Sequence, residues 1–433
     1  MISNSITNGI NGNANVPGDK SISHRSIIIP SISNGVSEIS NILRSEDVLH
    51  TLNAFKAMGV KVEENNNNKL IIFGKGLNSL KKPKGKIYLG NSGTSARLLT
   101  GLLSSQKFDT ILTGDKSLSN RPMRRISDPL SKMNAKINSS NGKLPLKIEG
   151  SELTSTKIDL DIPSAQIKSG VLLASLNTKG ETIIIENKIT RDHTEIMLES
   201  FGAQIDVRKK NNNKLIKIIG KKELVSKNID VPNDLSSSAF FIVSALINNN
   251  SKVVLKNINN NPTRNGLLIA LEKMGAKIKL LNKRISNNEN ICDIEVLSSN
   301  LNGCELGPEI ADLMIDEYPI LAVAASFAST PSIFRGLKEL RVKESDRLKL
   351  IMLNLQKCGV NCKTENDDLF IYPSKNYEIN SNIIQTDFDH RIAMAFCIMA
   401  TRIGPLRIND SESINTSFPN FKSELNKLGG SII

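Results

Sequence analysis

The stretch Lys273-Met274-Gly275-Ala276-Lys277-Ile278 decides the fold, because variants of it recur along the 433-residue chain. In each copy a helical pattern ends at a Gly or Asn, and a strand-like apolar run follows. Roughly 70 residues separate one copy from the next. The other five copies begin at Ala57, Lys132, Ser200, Lys357 and Lys427. We therefore predict six copies of one structural unit.

A second element recurs upstream of each copy, and it is a polar turn followed by a helix rich in Ala, Ser and Gly. These helices carry few charges, and a helix that is apolar on all sides is buried. The segments span residues 18–30, 90–103, 163–176, 232–246, 316–328 and 389–400. We therefore predict an α/β fold with buried helices and outer sheets, in which each unit reads strand, helix, strand, helix, strand, strand.

Six such units suggest two domains of three βαβαββ units each, in the form of an inside-out α/β barrel. The first domain is predicted to span residues 18–229, and the second to combine residues 1–17 with residues 230–433. If the buried helices of a domain run parallel, their positive N-terminal ends point the same way. Two such ends facing each other would form an active-site cleft suited to a multiply charged anion.

Composition narrows the possible functions. The net charge of +13 is compatible with nucleic acid or small anions as ligands, but aromatic residues make up only 4% and Trp is absent. No base-stacking platform is evident, so we expect no nucleic-acid partner. No apolar run reaches the roughly 20 residues of a membrane span, and residues 1–15 have no signal pattern. We expect a cytoplasmic protein without a membrane partner. The five Cys and four His show no metal-ligand spacing, so no metal site is predicted.

Charged residues gather at the start of the first buried helix. A Pro17-Gly18 turn precedes Lys20, Ser21 and Arg25. Unpaired backbone N–H groups at a helix start attract anions, and Lys and Arg add full charges there. An anionic, oxygen-rich ligand suits this cluster. A capped helix with solvated basic residues is the alternative.

The next two helix starts offer further candidates. Gly93 allows close approach to the backbone, and Arg121 precedes a Pro that we place in a first helical turn. The group Ser164-Ala165-Gln166 presents hydroxyl and amide donors without net charge. Arg191 stands before Asp192 and Glu195, which could instead form a capping box and leave Arg191 free.

The second half of the chain contributes carboxylates among cations. Asp316 would project from a turn, although a capping role is an equal alternative. Lys343 and Arg347 stand one helical turn apart with Glu344 between them, which fits either solvated helix pairing or an acid among phosphate ligands. An Asp389-His390-Arg391 sequence opens the last buried helix.

These blocks, in this order, resemble the enolpyruvyl transferases, and within that family the bacterial class II forms of the branch whose acceptor is shikimate 3-phosphate. The resemblance spans nearly the whole chain. It rests on residues 17–25, 164–166, 190–195, 315–319, 341–347 and 389–391.

The resemblance implies transfer of the enolpyruvyl group of phosphoenolpyruvate to the 5-hydroxyl of shikimate 3-phosphate, with release of phosphate and no metal or organic cofactor. It implies a monomer with these two small molecules as partners. Asp316 is similar to the family's proton acceptor and Glu344 to its proton donor. Lys20 is the third group similar to the family's catalytic residues.

The resemblance also implies two ligand sets. The shikimate 3-phosphate set is Lys20, Ser21, Arg25, Ser164, Ala165, Gln166, Arg191, Asp316 and Lys343. The phosphoenolpyruvate set is Lys20, Gly93, Arg121, Gln166, Arg347 and Arg391. One departure is that many members carry a Lys before the C-terminal Phe-Pro, whereas this chain has Asn415-Thr416-Ser417-Phe418-Pro419, as class II forms tend to.

Two alternatives stay open. The enolpyruvyl transferase that acts on UDP-N-acetylglucosamine normally has a reactive Cys in the loop before the Arg-Pro, and residues 115–120 contain none. A non-catalytic protein that binds anions or nucleic acid is the second alternative, favoured by the net charge.

Overall fold

The protein is described by a computed structural model that covers residues 1–65, 69–210, 213–374 and 377–433. The chain divides into two compact units. The N-terminal unit comprises Gly18–Val231 with Ser286–Glu289. The C-terminal unit comprises Met1–Pro17, Pro232–Ile285 and Asn290–Ile433.

The strands are short. They are β1 (Ile2–Ser3), β2 (Asn11–Ala14), β3 (Asn34–Ser40), β4 (Lys61–Glu64), β5 (Leu70–Lys75), β6 (Ile87–Tyr88), β7 (Thr110–Thr113), β8 (Lys136–Ser140), β9 (Lys143–Glu149), β10 (Lys157–Leu160), β11 (Glu181–Glu186), β12 (Gln204–Lys210), β13 (Asn213–Ile219), β14 (Ile229–Asp230), β15 (Lys252–Asn259), β16 (Lys277–Ser286), β17 (Glu289–Leu297), β18 (Glu305–Leu306), β19 (Ser332–Phe334), β20 (Cys362–Glu365), β21 (Asp368–Ile371), β22 (Ile383–Ile384) and β23 (Leu406–Ile408).

Helices lie between groups of these strands, and 3-10 helices lie at Lys338–Val342 and Ser411–Thr416. The α-helices are α1 (Lys20–Ser31), α2 (Glu46–Ala57), α3 (Gly93–Ser104), α4 (Lys116–Asn120), α5 (Arg124–Ser131), α6 (Ala165–Leu176), α7 (His193–Ser200), α8 (Leu235–Ile247), α9 (Gly266–Lys273), α10 (Pro308–Ala311), α11 (Tyr318–Ser326), α12 (Arg347–Lys357), α13 (His390–Ile403) and α14 (Phe421–Lys427).

The described strands form six small sheets, and five of them have four strands in one shared order. In the N-terminal unit the orders are β14-β3-β5-β4, β6-β7-β9-β8 and β10-β11-β13-β12. Each begins with a parallel pair and continues with antiparallel neighbours. The repeated order is consistent with repeated βα units.

The C-terminal unit has the sheets β2-β15-β17-β16, β18-β19-β21-β20 and β1-β23-β22. Strands β1 and β2 of this unit come from the start of the chain. In β1, Ile2 is the antiparallel partner of Arg407, and in β2, Gly12 is the parallel partner of Val253. Two of its three sheets therefore contain a strand from the first 14 residues of the chain.

The recurring sequence signature marks one backbone conformation. Its third residue has a positive φ in all six copies, namely 85° at Gly59, 67° at Asn134, 88° at Gly202, 79° at Gly275, 78° at Gly359 and 111° at Gly429. Glycine and asparagine adopt this left-handed conformation most readily. The Gly directly follows the C-cap residue in five copies, whereas Asn134 comes two residues after Lys132, the C-cap of α5. The predicted Gly or Asn therefore lies just beyond the C-cap rather than at it.

The six predicted apolar segments each contain a helix, and these helices are buried. Every residue of α8 is buried, and Ile27, Ile28 and Ile29 of α1 have no exposed surface. Burial of each such Ile contributes about 1.5–3 kcal/mol. One apolar core lies in each unit. The buried helices therefore contribute to both cores, and this packing fixes the positions of their N-termini.

Helices α3 and α6 approach each other closely through two glycines. A Cβ atom at Gly101 would lie 1.9 Å from the carbonyl oxygen of Gly170. A Cβ atom at Gly170 would lie 2.8 Å from the carbonyl oxygen of Arg97. Only glycine fits at such distances, so the crossing fixes the start of α3 relative to that of α6.

Candidate active site

The first candidate group, Lys20, opens α1. Asp19 caps this helix by accepting the backbone N–H of Ile22 at 2.9 Å. The Nζ atom of Lys20 lies 2.5 Å from Oδ2 of Asp47 on α2. The Lys20 side chain is 19% exposed and that of Asp47 only 8%. A buried carboxylate thus orients an ammonium group that solvent can still reach, and an incoming anion would compete with Asp47 for it.

Arg25 links three helices of the N-terminal unit. Its guanidinium donates to Oγ1 of Thr194 at 2.7 Å, to Oγ of Ser169 at 2.7 Å and to the carbonyl oxygen of Ser21 at 2.8 Å. Burial lowers the pKa of Arg25 to about 10, against the opposing effect of the Glu195 carboxylate. Two of these donors hold α1 against α6 and α7, and the third bonds within α1.

His24, between these two cations, is buried and begins a polar chain. Its Nδ1 lies 2.7 Å from Oγ1 of Thr51, which lies 2.5 Å from Oγ of Ser95. Its Nε2 has no hydrogen-bond partner among the described residues. Burial, followed by the charges of Lys20 and Arg25, holds the pKa of His24 well below its usual range. The ring is therefore neutral in the folded protein near neutral pH.

The start of α3 brings two guanidinium groups together at Gly93. Ser92 caps the helix by accepting the backbone N–H of Ser95 at 3.2 Å. A Cβ atom at Gly93 would lie 2.7 Å from Nη1 of Arg97 and 2.9 Å from Nη1 of Arg121. Two cations thus converge on a position without a side chain, which suits a small anion.

Arg97 is a site residue that the sequence analysis missed. Its Nη1 donates to the carbonyl oxygen of Gly93 at 3.1 Å and to Oε1 of Gln166 at 3.0 Å. The Nε2 of Gln166 donates in turn to Oγ1 of Thr94 at 3.0 Å. The starts of α3 and α6 are therefore joined by hydrogen bonds. A charge in an otherwise uncharged buried helix was the signal that could have identified Arg97.

Arg121 lies at the end of α4 rather than beside a first helical turn. Pro122 falls outside the helices, and α5 begins at Arg124, so the predicted helical position of Pro122 is wrong. The Nη2 of Arg121 donates to Oδ1 of Asn91, in the turn before α3. This hydrogen bond to Asn91 holds the guanidinium of Arg121 near Gly93.

The start of α6 carries the uncharged donors. Ser164 caps the helix by accepting the backbone N–H of Ile167 at 3.4 Å, and Ala165 and Gln166 are the first helical residues. Arg191 lies in the short segment before α7. Thr194, in the first turn of α7, lies 2.6 Å from Ser169 of α6 through the two hydroxyl oxygens. The Ser164 group and the Arg191 segment are thus tied to neighbouring helices.

The capping-box interpretation of Asp192 and Glu195 is wrong. Asp192 makes no capping hydrogen bond from its side chain, and Oε1 of Glu195 lies 2.7 Å from Nζ of Lys168 and 3.0 Å from Nζ of Lys214. Burial opposes ionisation of Glu195, but the two lysines outweigh it and hold its pKa below the usual range. Glu195 is therefore a buried ionic partner.

In the C-terminal unit, Asp316 and Arg391 meet at the start of α11. The N-cap residue of α11 is Glu317, so the capping alternative for Asp316 is wrong. The Nη1 of Arg391 donates to the carbonyl oxygen of Asp316 at 3.2 Å and lies 3.6 Å from Oε1 of Glu317. The Asp316 carboxylate is left to face other cations.

Those cations include Arg347, the centre of an ionic cluster. Its guanidinium donates to Asp316 at 3.1 Å, to Glu344 at 2.5 Å and to Asp389 at 2.7 Å. Burial works against the charge of Arg347, but the three carboxylates outweigh it and raise its pKa. Arg347 is fully buried, whereas the side chains of Asp316 and Glu344 are 15% and 21% exposed. The two carboxylates therefore have fixed positions and remain accessible.

Lys343 contributes a second cation near Asp316, with Nζ 3.7 Å from Oδ1. It does not share a helix with Arg347, as the sequence spacing had suggested. A 3-10 helix ends at Val342, and α12 begins only at Arg347. Lys343 and Glu344 therefore lie in an irregular segment, which lets both side chains turn toward Asp316 and Arg347. The interpretation as solvated helix pairing is wrong.

Two further features bear on possible ligands. Within the residues that the structure describes, no three His, Cys, Asp or Glu side chains group as metal ligands would. Over the same residues, no helix combines the length and the apolar character that crossing a membrane requires.

Comparison with known proteins identifies the family. The sequence profile of EPSP synthase (3-phosphoshikimate 1-carboxyvinyltransferase) matches residues 5–425. The 3-phosphoshikimate 1-carboxyvinyltransferase of Ruthia magnifica subsp. Calyptogena magnifica is 47% identical over 428 residues, which cover 98% of this chain and 97% of the relative. The chain belongs to the EPSP synthase family.

Other members of the EPSP synthase family agree with this assignment. The 3-phosphoshikimate 1-carboxyvinyltransferase of Paramagnetospirillum magneticum is 44% identical over 97% of this chain and 95% of its own length. The solved EPSP synthase from Acinetobacter baumannii matches with a TM-score of 0.86 and 42% identity, covering 100% of this chain and 99% of the other.

A more distant structure shares the fold. The enolpyruvyl transferase NikO from Streptomyces tendae matches with a TM-score of 0.76 over 99% of this chain and 97% of its own, at 15% identity. The mixed α/β architecture is therefore common to EPSP synthase and to this enolpyruvyl transferase.

Proposed function

We propose that this protein catalyses the 3-phosphoshikimate 1-carboxyvinyltransferase reaction. The single observation that carries this function is the full-length match to EPSP synthases, with 47% identity over 98% of the chain in one relative. The chain is an enzyme of the shikimate pathway that transfers the enolpyruvyl group of phosphoenolpyruvate to the 5-hydroxyl of shikimate 3-phosphate. Its product leads to chorismate and the aromatic amino acids.

The reaction sets the chemical needs of the site. The 5-hydroxyl oxygen bonds to the central carbon of phosphoenolpyruvate while a proton adds to the methylene carbon. The tetrahedral intermediate then loses a proton from the new methyl group, and its bond to the phosphate oxygen breaks. A base, an acid and cations around the phosphates and the carboxylate are required.

We assign the proton transfers to three residues. Asp316 accepts the proton of the 5-hydroxyl, Glu344 donates to the methylene carbon, and Lys20 is the third group that handles a proton. This assignment is supported by the shared contact of Asp316 and Glu344 with Arg347, at 3.1 and 2.5 Å. Rigidly held carboxylates at partly exposed positions suit acid–base work.

The binding assignments form two sets, one for each substrate. Shikimate 3-phosphate is bound by Lys20, Ser21, Arg25, Ser164, Ala165, Gln166, Arg191, Asp316 and Lys343. Phosphoenolpyruvate is bound by Lys20, Gly93, Arg121, Gln166, Arg347 and Arg391. The convergence of Arg97 and Arg121 on Gly93 supports an anion there.

We extend the proposal to the finer architecture. Each unit is an inside-out α/β barrel of three βαβαββ units, and the chain belongs with the class II forms. Support for the barrel comes from the shared strand order of five sheets and the burial of the central helices. Support for class II comes from Asn415-Thr416-Ser417-Phe418-Pro419, which lacks a Lys before the Phe-Pro. The enzyme acts as a cytoplasmic monomer.

Phosphate release from phosphoenolpyruvate tests the function. It is measured with shikimate 3-phosphate and, in parallel, with UDP-N-acetylglucosamine as acceptor. We expect release only with shikimate 3-phosphate, because residues 115–120 contain no Cys. Release only with the UDP sugar would overturn the acceptor, and release with neither would overturn the activity.

A further inference from the structure

A cluster of five charged side chains lies next to candidate shikimate 3-phosphate-binding residues of the N-terminal unit, such as Arg191. We call it the Lys168 cluster, and it consists of Lys168, Glu186, Asp192, Glu195 and Lys214. Four of its members are at most 3% exposed, and only Asp192 reaches 16%. None of these residues has a role in the reaction as assigned above.

The cluster is connected by short contacts. The Nζ of Lys168 lies 2.9 Å from Oε2 of Glu186 and 2.7 Å from Oε1 of Glu195. The Nζ of Lys214 lies 3.0 Å from the same Glu195 oxygen. Glu186 and Lys214 are also partners in the antiparallel pairing of β11 with β13. The cluster therefore joins α6, α7 and the two central strands of a sheet.

The same side chains hold the two neighbours of Arg191. Lys168 donates from Nζ to the carbonyl oxygen of Thr190 at 3.4 Å, and the Thr190 hydroxyl donates to Oε1 of Glu186 at 2.5 Å. On the other side, Nζ of Lys214 lies 3.5 Å from Oδ2 of Asp192. The chain is thus held through a backbone oxygen immediately before Arg191 and through a side-chain carboxylate immediately after it.

Stability alone does not account for such a cluster. Taking several charges out of water costs about as much as their mutual attraction returns, and apolar side chains of similar volume often stabilise a fold as well or better. The ionic cluster adds directional contacts. Lys168 holds the carbonyl oxygen of Thr190, and Lys214 holds a carboxylate oxygen of Asp192. Apolar packing would not fix these oxygens.

We propose that Lys168 and Lys214 are positioning residues that hold Arg191 in place to bind the phosphate of shikimate 3-phosphate. The inference rests on the proposed function, because it takes the ligand of Arg191 from it. Neither lysine touches a substrate. Their effect passes through the carbonyl oxygen of Thr190 and the carboxylate of Asp192 to the residue between them.

Steady-state kinetics and ligand binding test the inference. Lys168→Met and Lys214→Met should each raise the KM and the Kd for shikimate 3-phosphate roughly tenfold, with the KM for phosphoenolpyruvate changed less than about twofold. The matched control is Lys217→Met, on the same strand β13, whose Nζ lies 3.4 Å from Glu181 in an exposed pair. The control should leave both KM values unchanged.

A double-mutant cycle separates positioning from a merely structural role. In an Arg191→Ala background, Lys214→Met should change the KM for shikimate 3-phosphate less than about twofold, because the group being positioned is gone. An equal effect in both backgrounds would overturn the inference. So would a loss of affinity for both substrates in proportion to a loss of stability in urea.

Two readouts keep the inference falsifiable and distinct from the proposed function. Since Lys168→Met leaves two buried carboxylates and could unfold, Glu195→Gln serves as a nearly isosteric second variant and should show the same selective rise in KM. If Glu195→Gln leaves that KM unchanged, the inference fails.

Wild-type phosphate release with shikimate 3-phosphate tests the function itself. If release is normal but Arg191→Ala has no effect, the inference and the Arg191 assignment fail while the function stands.

Discussion

The guanidinium of Arg347 and the carboxylate of Asp316 lie 3.1 Å apart, and the same guanidinium holds Glu344 at 2.5 Å. One buried cation thus sets the positions of the two carboxylates that we assign to proton transfer. Its third partner, Asp389, is fully buried and caps α13. The geometry of the proposed chemistry is therefore anchored in the core of the C-terminal unit.

Removing either assigned carboxylate should abolish most of the turnover. We expect Asp316→Asn and Glu344→Gln each to lower kcat at least about a hundredfold, the usual scale for a lost acid or base. Phosphate release at saturating substrates measures this. Glu305→Gln, which alters an exposed partner of Arg335 in the same unit, serves as the control. A near-normal kcat would remove the altered residue from its role.

Arg347→Met should destabilise the protein by about 3–5 kcal/mol, because it leaves three carboxylates around a buried site without their cation. Urea unfolding measures this change. The matched variant is Arg335→Met, which removes a 41% exposed guanidinium that also contacts two carboxylates. We expect a much smaller loss there, since solvent screens such pairs. Equal losses in the two variants would contradict the central role of Arg347.

Gly93→Ala should weaken phosphoenolpyruvate binding more than it weakens the fold. The added methyl group would meet the ends of Arg97 and Arg121 at 2.7 and 2.9 Å, and both side chains can move away. We expect the KM for phosphoenolpyruvate to rise roughly ten- to hundredfold through this displacement. Gly85→Ala is the control, because a Cβ atom there meets nothing within 4 Å. An unchanged KM in the Gly93 variant would argue against a phosphoenolpyruvate site at Gly93.

Gly101→Ala should act on the fold and the site together. Its methyl group would lie 1.9 Å from the backbone oxygen of Gly170, so α3 and α6 must separate. Overpacking of this kind costs about 1–3 kcal/mol. Urea unfolding measures that cost, and kinetics should show a raised KM for both substrates, since Arg97 and Gln166 bridge the two helices. Unaltered stability would mean that the helices can absorb the methyl group.

His24 should make stability fall with acidity. The unfolded chain protonates this ring near pH 6.5, whereas the folded pKa is held well below that. The unfolded state therefore binds more protons as the pH drops below about 6.5, and up to about 1.4 kcal/mol of unfolding free energy is lost per pH unit. His24→Asn should show a shallower decline between about pH 6.5 and 5.5 in urea titrations. Identical slopes for the two proteins would refute the prediction.

The elements of the fold were accessible from local patterns, because the left-handed residue after a helix needs Gly or Asn wherever it occurs. Gly275 and Asn134 are two such residues. The positions of the buried helices followed from their composition, because a helix with few charges and apolar residues on all sides is buried. What local patterns did not reveal were contacts between distant residues, such as that of Arg25 with Thr194.

The site shows the same limit. Sequence spacing grouped Asp192 with Glu195 and Lys343 with Arg347, since neighbours on a helix are the partners that a sequence makes visible. In the structure Glu195 binds Lys168 and Lys214, and Lys343 lies outside the helix of Arg347. Tertiary packing determines which charged residues become partners. A charge in a buried helix, such as Lys168 in α6, was the signal that the sequence offered.

The pairing of β1 with β23 has a consequence for the order of folding. Met1 and Ile408 are joined by a hydrogen bond across 407 positions of the chain, whereas the N-terminal unit is built almost entirely from the continuous stretch Gly18–Val231. On the ribosome, the N-terminal unit can fold while later residues are still being added. Strand β1, which precedes this unit, must wait for β23, and closing so long a loop is slow. We expect the C-terminal unit to acquire its hydrogen-exchange protection after the N-terminal unit during refolding.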